Sequence, residues 1–404
     1  MKEAEISFSF PTEVVREGEI SFVAPRLEAF VDEPWEYAPS KAPVFYNPIM
    51  ELNRDLAVLA LQAYQKMRDK KIAACEPLSG CGVRGVRFAL EVEGISRIVL
   101  NDINEEAVRL AEFNVQRNNL GDRISVANGD ANLLLSSYAA PRRRFDCIDI
   151  DPFGSPVAYI DSAIRALRDH GFLALTATDL APLCGVHPRA CIRKYGGRPL
   201  RTEYCHELAV RLLTGCLTTM AAKHGMGVRV LLSHSTDHYI RVYAIANYGA
   251  KRADISVQKI GHILHCFTCL HRETSSGIIS SSRQECIECG AKVSAAGPLW
   301  LGKTSNKEFC ALMIKELKER NLRNQKIILK LLSLSRDEAE ASPTYYVTDK
   351  ICDKLDLPIP PIIEVMEKLR NSGYEATSTS FCSRGIRTDA PAKVVKNITA
   401  RLVT

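Results

Sequence analysis

The amino-acid sequence predicts an α/β protein: a mostly parallel sheet with helices on both faces over residues 50–250, followed by a smaller α+β C-terminal region. Three observations predict it. Strand-like and helix-like segments alternate through the first region, and strands joined by crossover helices build parallel sheets covered on both sides. A glycine-rich turn, GCGVRG, lies between the first of these strands and its helix. After residue 250 the alternation stops, and a cysteine-containing segment and then a basic stretch take its place.

Taken in order, NRDLAVLALQAYQKMRD (53–69) has the apolar spacing of a helix. IAACEPL (72–78) reads as a buried strand, VRGVRFALEVE (83–93) as a helix, RIVLND (97–102) as a strand and NEEAVRLAEFNVQRNN (104–119) as a helix. RISVANGD (123–130) and FDCIDI (145–150) are strands; VAYIDSAIRALRD (157–169) is a helix and FLALTAT (172–178) a strand. A long helix fits 203–223, and GVRVLLSHS (227–235) and YIRVYAIANY (239–248) close the series. The last two are joined by too few residues for a crossover, so they pair as an antiparallel hairpin. A parallel sheet ending in such a hairpin resembles the Rossmann-like sheet of class I methyltransferases. Towards the C-terminus, 345–381 reads as helix, proline turn, helix and a glycine-led strand pair, the order of a winged-helix-like unit.

Bulk properties narrow the class. A chain of 404 residues exceeds one core and suggests two or three domains. It is 46% hydrophobic and 25% charged, has no run of 18 apolar residues, and begins MKEAEISFSF, without a signal-peptide layout. Membrane-spanning and secreted classes drop out, and a cytoplasmic protein is expected. In that reducing setting the 14 cysteines are expected to be core thiols and metal ligands rather than disulfides. The net charge of +6 divides into −5 over residues 1–41 and +11 over the rest. The basic excess concentrates in HPRACIRKYGGRPLR (187–201) and in 303–336, which suits a polyanionic partner or a solvated helical face.

Gly80, Gly82 and Gly85 have the G-x-G-x-x-G spacing that lets a backbone approach a ligand at a helix N-terminus. Asp102 ends the next strand, 20 residues after Gly82, where an acid accepts from a ribose diol. This pair fits a dinucleotide and S-adenosylmethionine equally well. Asp130, in NGDA, is placed either to accept from an adenine amino group or to cap the helix beginning ANLLLSSY.

DPFGSP (151–156) at the tip of the fourth strand discriminates further. An exocyclic amine on a purine is a poor nucleophile because its lone pair is delocalised into the ring. A carboxylate and a nearby carbonyl accepting its two N–H groups orient that lone pair, and an aromatic ring stacks on the base. Asp151 is thus orienter and proton acceptor, Phe153 the stacking platform, and Pro152 and Gly154 shape the turn. A plain strand–helix turn capped by Asp151 would use the same residues, and a nicotinamide oxidoreductase would have no use for DPFGSP.

In KAPVFYNPIMELNRDL (41–56), GCGVRGVRF, NDIN, NGDA, DPFGSP, TATDLAPLCG (176–185) and the terminal GYEATSTSF…GIRTDAP, the chain resembles the tRNA (guanine-26-N2)-dimethyltransferase family, as an archaeal-type member. The match runs in order from about residue 11 to the C-terminus. The resemblance implies methylation of guanine N2 in tRNA with S-adenosyl-L-methionine as donor, by a monomeric enzyme with no membrane or obligate protein partner. It implies that Phe45 packs on the guanine with Phe153 and that Asp179 shapes the pocket. Arg54, Arg84, Asp102, Asp130 and the adjoining Ala131 would join the glycine loop in holding the cofactor, with Arg54 reaching its carboxylate. Residues 1–250 would form the catalytic domain with an N-terminal extension and 251–404 a tRNA-binding domain. The first strand departs from the pattern, ending in Glu76-Pro77 where an aspartate and a small residue are expected.

Cys266-x2-Cys269 and Cys286-x2-Cys289, 16 residues apart, have zinc-ribbon spacing over about 262–297. Four cysteines close a tetrahedral site, so the zinc is expected to be structural; His265 and His271 are alternative ligands. A winged-helix-like unit is expected over about 341–395, and lysines and arginines between Lys303 and Lys330 would hold tRNA phosphates. The rival readings are an amino-group methyltransferase on another nucleic acid and a non-catalytic nucleic-acid-binding module.

Overall fold

The structure, a computed structural model, describes residues 8–33, 37–279 and 283–403. Lys2, Glu3, Glu5 and Glu36 of the acidic N-terminal segment lie outside the described residues. A hairpin of β1 (Thr12–Glu17) and β2 (Ile20–Pro25) comes first, then α1 (Glu51–Arg68). Next come β3 (Ile72–Glu76), α2 (Val83–Glu91), β4 (Ile95–Asp102), α3 (Glu105–Arg117), β5 (Ile124–Asn128), α4 (Ala131–Ser137), β6 (Phe145–Ile150), α5 (Val157–Ala166) and β7 (Leu167–Ala177). Short α6 (Leu180–Leu183) and α7 (Pro188–Tyr195) precede the long α8 (Cys205–Lys223), β8 (Met226–Thr236) and β9 (Tyr239–Tyr248).

These strands form one seven-stranded sheet of order β5-β4-β3-β6-β7-β9-β8. β3 pairs parallel with β4 and β6, β4 pairs parallel with β5, and β8 and β9 form the antiparallel hairpin. This is the Rossmann-like layout expected from the sequence. The central strands read as apolar runs because both faces are covered; all five residues of β3 are buried, Glu76 among them.

Local chemistry sets the helix ends. Asn104 caps α3 by accepting from the Glu106 N–H at 3.0 Å, with Glu105 and Glu106 in the first turn facing the positive end of the helix dipole. Asp69 stops α1 in the left-handed conformation. One expectation shifts: residues 167–169, expected as the end of a helix, are already strand. The Arg168 guanidinium reaches Asp146 of β6 at 2.6 Å, which holds this stretch extended.

The described chain divides into two compact units. The first comprises residues up to Asp151 with Arg165–Leu173 and Lys315–Ile328. In it the side-chain amide of buried Asn114 on α3 accepts from Val23 N (2.7 Å) and donates to the carbonyls of Val23 and Cys81 (2.9 Å each), tying the N-terminal hairpin to the glycine loop. The segment 315–328, although late in the chain, packs within this unit: Arg320 donates to the Glu91 carbonyl at 2.6 Å.

The second unit comprises Pro152–Ile164, Ala174–Ile314 and Leu329–Thr404. After α9 (Ala250–Val257) it contains a three-stranded sheet of β10 (Ile260–His265), β11 (Arg272–Ser276) and β12 (Ser294–Trp300), order β11-β10-β12. α10 (Lys307–Lys318) and α11 (Gln325–Asp337) each contribute residues to both units. β13 (Tyr346–Val347), α12 (Thr348–Leu355), α13 (Ile362–Asn371), β14 (Ala376–Ser378), β15 (Gly385–Thr388) and α14 (Ala392–Arg401) follow, with strand order β13-β15-β14 around an apolar core including Ile351, Val365, Leu369 and Ile386. Helix–turn–helix followed by a strand pair is the winged-helix-like order read from the sequence. Its base is a buried charge network: Arg387 contacts Glu207 at 3.1 Å and is hydrogen-bonded to Glu338, while Arg211 donates to Glu207 at 2.8 Å. Burial raises the Glu207 carboxyl, but Arg387 and Arg211 outweigh it and hold the group down at about 2.

Candidate active site

The glycine loop is built by steric necessity. Gly82 has φ of +76° and precedes α2, and a Cβ there would meet the Ala111 Cβ at 3.0 Å. A Cβ on Gly85 would lie 2.3 Å from Leu100 Cδ2, so helix α2 sits directly against β4. The Gly80 N–H donates to Asp102 Oδ2 at 2.8 Å, and Asp102 Oδ1 accepts from Asn104 N at 3.0 Å. Asp102 therefore braces the loop at the tip of β4. Asp130 caps α4, its Oδ1 accepting from Leu133 N at 2.9 Å, with buried Ala131 next to it. The half-buried Phe45 lies over the loop, its carbonyl 3.0 Å from where a Gly80 Cβ would be.

Arg84 projects from the first turn of α2 into a nest of acids. Its Nε donates to Glu76 Oε1 (3.1 Å) and its Nη1 to Asn53 Oδ1 (2.9 Å). Nη1 also lies 3.5 Å from Asp149 Oδ2, and Nη2 is hydrogen-bonded to Asp151 Oδ2. One guanidinium thus faces three carboxylates in a site where Arg84 is 4% exposed. Three ionised acids around one cation would leave uncompensated buried charge, and such groups relieve it by taking up a proton. Burial pushes the Glu76 carboxyl up to about 8, Asp149 and Asp151 push the same way, and Arg84 opposes them. At neutral pH Glu76 is therefore mostly the neutral acid, and the charge of Arg84 serves the two aspartates.

The sequence leads one to expect Arg54 on a cofactor carboxylate or paired with Glu51 or Asp55. Its protein partner is Glu17, at the end of β1, which accepts from Nε at 2.7 Å and from Nη2 at 2.5 Å; Nη2 also donates to the Asn47 carbonyl at 3.0 Å. Burial raises the Glu17 carboxyl, but the charge and hydrogen bonds of Arg54 outweigh it and leave it lowered. Nη1 of Arg54 donates to no described residue. Asp55 pairs with Arg87 at 2.8 Å, and Glu51 lies 3.8 Å from Arg323. Nothing in the sequence pattern points to Glu17, 37 positions from Arg54; the pairing accounts for part of the acidic N-terminal segment.

Three polar atoms at this cradle have no partner among the described residues: Ser79 Oγ and Asn53 Nδ2, both buried, and Arg54 Nη1. Buried polar groups are normally satisfied, so a loop with left-handed glycines and three spare hydrogen-bonding atoms fits a polar ligand.

Asp151 closes the first unit, with its side chain 16% exposed. The next residues along the chain belong to the second unit. Pro152 is buried and Phe153 is 68% exposed. Gly154 has φ of +76° and is laced to the 178 loop: its N–H donates to Thr178 Oγ1 (2.7 Å) and its carbonyl accepts from Thr178 N (2.9 Å). Asp179 accepts from the Tyr195 hydroxyl at 2.5 Å and from Lys194 Nζ at 2.9 Å, both on α7. So part of the basic 187–201 segment is committed to holding Asp179.

Set beside known proteins, the chain has clear relatives. The family model described as N2,N2-dimethylguanosine tRNA methyltransferase matches residues 25–400. The chain belongs to this family. A relative from Methanobrevibacter smithii named tRNA (guanine(26)-N(2))-dimethyltransferase is 44% identical over 359 residues, 89% of this chain and 92% of the relative. One from Aquifex aeolicus, named tRNA (guanine(26)-N(2)/guanine(27)-N(2))-dimethyltransferase, is 33% identical over 93% of each chain. The structure of Trm1 from Pyrococcus horikoshii with S-adenosyl-L-methionine superposes with a TM-score of 0.84 at 35% identity, covering 96% of this chain and 99% of that one. Among the described residues, no helix is long and apolar enough to cross a membrane.

The dimethyltransferase chain also brings its four ribbon cysteines together: the ligand atoms of Cys266, Cys269, Cys286 and Cys289 lie within 4.8 Å of one another, with Cys266–Cys289 at 3.6 Å and Cys269–Cys286 at 3.5 Å. Burial raises the Cys266 thiol, but N–H groups of Cys269 and Thr268 aimed at its sulfur, with neighbouring thiols, bring it to about 7. The flanking histidines are engaged elsewhere, His265 with the Tyr204 hydroxyl (3.0 Å) and His271 with Glu288 (3.1 Å).

Proposed function

We propose that this chain methylates the exocyclic N2 of guanine 26 in tRNA, using S-adenosyl-L-methionine and proceeding through N2-methyl- to N2,N2-dimethylguanosine. The observation that carries the reading is the Asp151 carboxylate, fixed by Arg84 at the tip of β6 and followed at once by the exposed ring of Phe153. When bound, S-adenosylmethionine supplies a methyl group on a sulfonium, so an N–C bond forms as an S–C bond breaks. The cradle fits this cofactor: the glycine loop offers backbone at close range, Asp102 and Asp130 are acceptors at successive strand tips, and Arg54 Nη1 is the spare donor for a carboxylate. Arg84, whose guanidinium is engaged with Glu76, Asn53, Asp149 and Asp151, acts on the reaction by holding Asp151 rather than through a free donor.

Asp151 and the Pro152 carbonyl accept the two N–H groups of the guanine amine and turn its lone pair out of conjugation; Asp151 then takes the displaced proton. Phe153, with Phe45, stacks on the base, which has to leave its helix to be reached. Asp179, held by Lys194 and Tyr195, borders the pocket. The four ribbon cysteines hold a structural zinc ion, since four thiolates at this spacing leave no open position. The region after residue 250 serves tRNA binding, with the exposed Lys307, Lys315, Lys318, Lys326 and Lys330 as phosphate contacts.

The test is methyl transfer from labelled S-adenosylmethionine to an unmodified tRNA transcript, beside a transcript with adenine at position 26 and an Asp151→Ala enzyme. Label in dimethylguanosine that disappears in both controls supports the assignment. Label that survives the base change moves the target to another guanine, position 27 being the first to check. Tight tRNA binding with no label and no cofactor binding would leave only a binding module.

A further inference from the structure

A second group of metal-ligating side chains lies outside both sites described above. Cys184, Cys205 and His206 present two sulfur atoms and a ring nitrogen within 4.8 Å of one another. They are not a sequence motif: 20 residues separate the two cysteines, and neither belongs to a C-x2-C pair. The fold brings them together. Cys184 ends α6, its N–H donating to the Leu180 carbonyl at 2.7 Å. Gly185 follows with φ of +90°, and a Cβ there would lie 2.8 Å from Arg201 N and 2.9 Å from Leu200 C. Only a glycine lets the loop lie this close on the 200–201 backbone, which leads directly into the first turn of α8. Cys205 and His206 open that turn.

The chemistry of the three groups suits a cation better than a core. Cys184 and Cys205 are half-buried and within hydrogen-bonding reach of each other. The backbone N–H groups of Cys205 and His206 face the Cys205 sulfur. The His206 ring hydrogen-bonds to no described residue, whereas the rings of His224, His234, His265 and His271 are each paired, with Asp161, Thr236, Tyr204 and Glu288.

We propose that Cys184, Cys205 and His206 form a second zinc-type site, with three protein ligands and a fourth position open to solvent. A soft cation is the fitting occupant, because two thiolates and an imidazole select zinc over calcium or magnesium. Tetrahedral bonds of about 2.3 Å to sulfur and 2.0–2.1 Å to nitrogen need ligand atoms roughly 3.5–3.8 Å apart, within the spread observed. The position of the site implies what the ion does there. It clips α6, which Asp179 and Cys184 flank, to the start of α8.

The test is the zinc content of the full-length protein, grown with added zinc, gel-filtered and analysed by mass spectrometry of the element beside a count of free thiols. Two ions per chain are expected, one for each ligand group, falling to one in a Cys184→Ser/Cys205→Ser variant. Should that variant fold poorly, His206→Asn in the metal-free protein, titrated with Co2+ alone, is expected to keep the four-thiolate charge-transfer band and lose the second, weaker one. A single ion in the wild type, an unchanged content in the double variant, or a Cys184–Cys205 disulfide in place of the second ion would overturn the proposal. Ion stoichiometry is read without tRNA or S-adenosylmethionine, so its failure is separable from failure of the methyl-transfer assignment.

Discussion

Replacing Glu76 by glutamine is expected to make the protein gain stability relative to the wild type as pH rises, an unusual result for removing a residue paired with an arginine. Glu76 is 4% exposed, and its carboxyl is pushed from 4.5 in the unfolded chain to about 8 in the fold. A raised carboxyl means that the folded state holds its proton more tightly than the unfolded state does. Between pH 4.5 and about 8 the unfolded chain has lost that proton and the folded chain has kept it, so stability falls across this window and levels off above it. The slope approaches about 1.4 kcal/mol per pH unit, and its integral is on the order of 5 kcal/mol at most. Glutamine is near-isosteric and does not titrate. Its NH2 cannot accept from Arg84 Nε or Gly85 N, a pH-independent cost, so the pH-dependent part of the difference between variant and wild type isolates this one group. For a unit of this size, each kcal/mol moves the melting temperature by roughly 2–4 °C. The gap should therefore open by roughly 3–6 °C per pH unit from pH 5 to 8. Thermal melts of both proteins in a constant-ionic-strength buffer series read it directly. Parallel curves would refute the buried-acid argument, and with it the inference that Arg84 reserves its charge for Asp149 and Asp151.

The remaining predictions rest on the other parts of the molecule. Phe153→Ala should leave the melting temperature unchanged, because the ring is 68% exposed, yet lower kcat/KM for tRNA by about 5- to 150-fold, the equivalent of 1–3 kcal/mol of base stacking; equal turnover would remove Phe153 from the pocket. Asp151→Asn should cut methyl transfer by roughly 10²–10⁴-fold while S-adenosylmethionine still binds by calorimetry; full activity would mean the carboxylate is not the proton acceptor. Gly82→Ala should cost about 1–2 kcal/mol because its φ is +76°, and should weaken cofactor binding through the displaced loop. Glu207, held at about 2, contributes stability that is fully present above pH 4.5 and lost as pH falls towards 2; Glu207→Gln should flatten that acid limb in a denaturant series, and an unchanged limb would assign acid unfolding elsewhere.

The legible parts of the sequence were those where one residue's neighbours in the chain are also its neighbours in space. Apolar runs of five or six residues between turn signals became β3 and β6, and Asp130 caps the helix it precedes. The turn at Asp151–Gly154 likewise keeps its chemistry within four consecutive positions. What stayed hidden was partner choice. Arg54 sits between two acids on its own helix yet pairs with Glu17, because the hairpin of β1 and β2 brings a buried carboxylate to it that a surface helix neighbour could not match. The proximity of Cys184 and Cys205 likewise depends on a glycine at position 185 lying against backbone 15 residues away in the chain.

The same distinction bears on how the site works. An orienting carboxylate is useful only if it is ionised and aimed, and burial opposes ionisation. In this fold the opposing demands are separated among three acids around Arg84. Glu76, deepest in β3 and bonded to the Gly85 N–H at 3.1 Å, absorbs the desolvation by keeping its proton. Asp149, 2% exposed, stays beside Arg84 at 3.5 Å, and Asp151, the most accessible of the three, shares that guanidinium while facing outward. A glutamate in place of the expected aspartate at position 76 extends the carboxyl one methylene further, far enough to meet both Arg84 Nε and the loop amide. The departure from the cofactor motif thus couples the glycine loop to the guanidinium that holds Asp151, so a change at Glu76 should register in the pH dependence of stability and of methyl transfer alike.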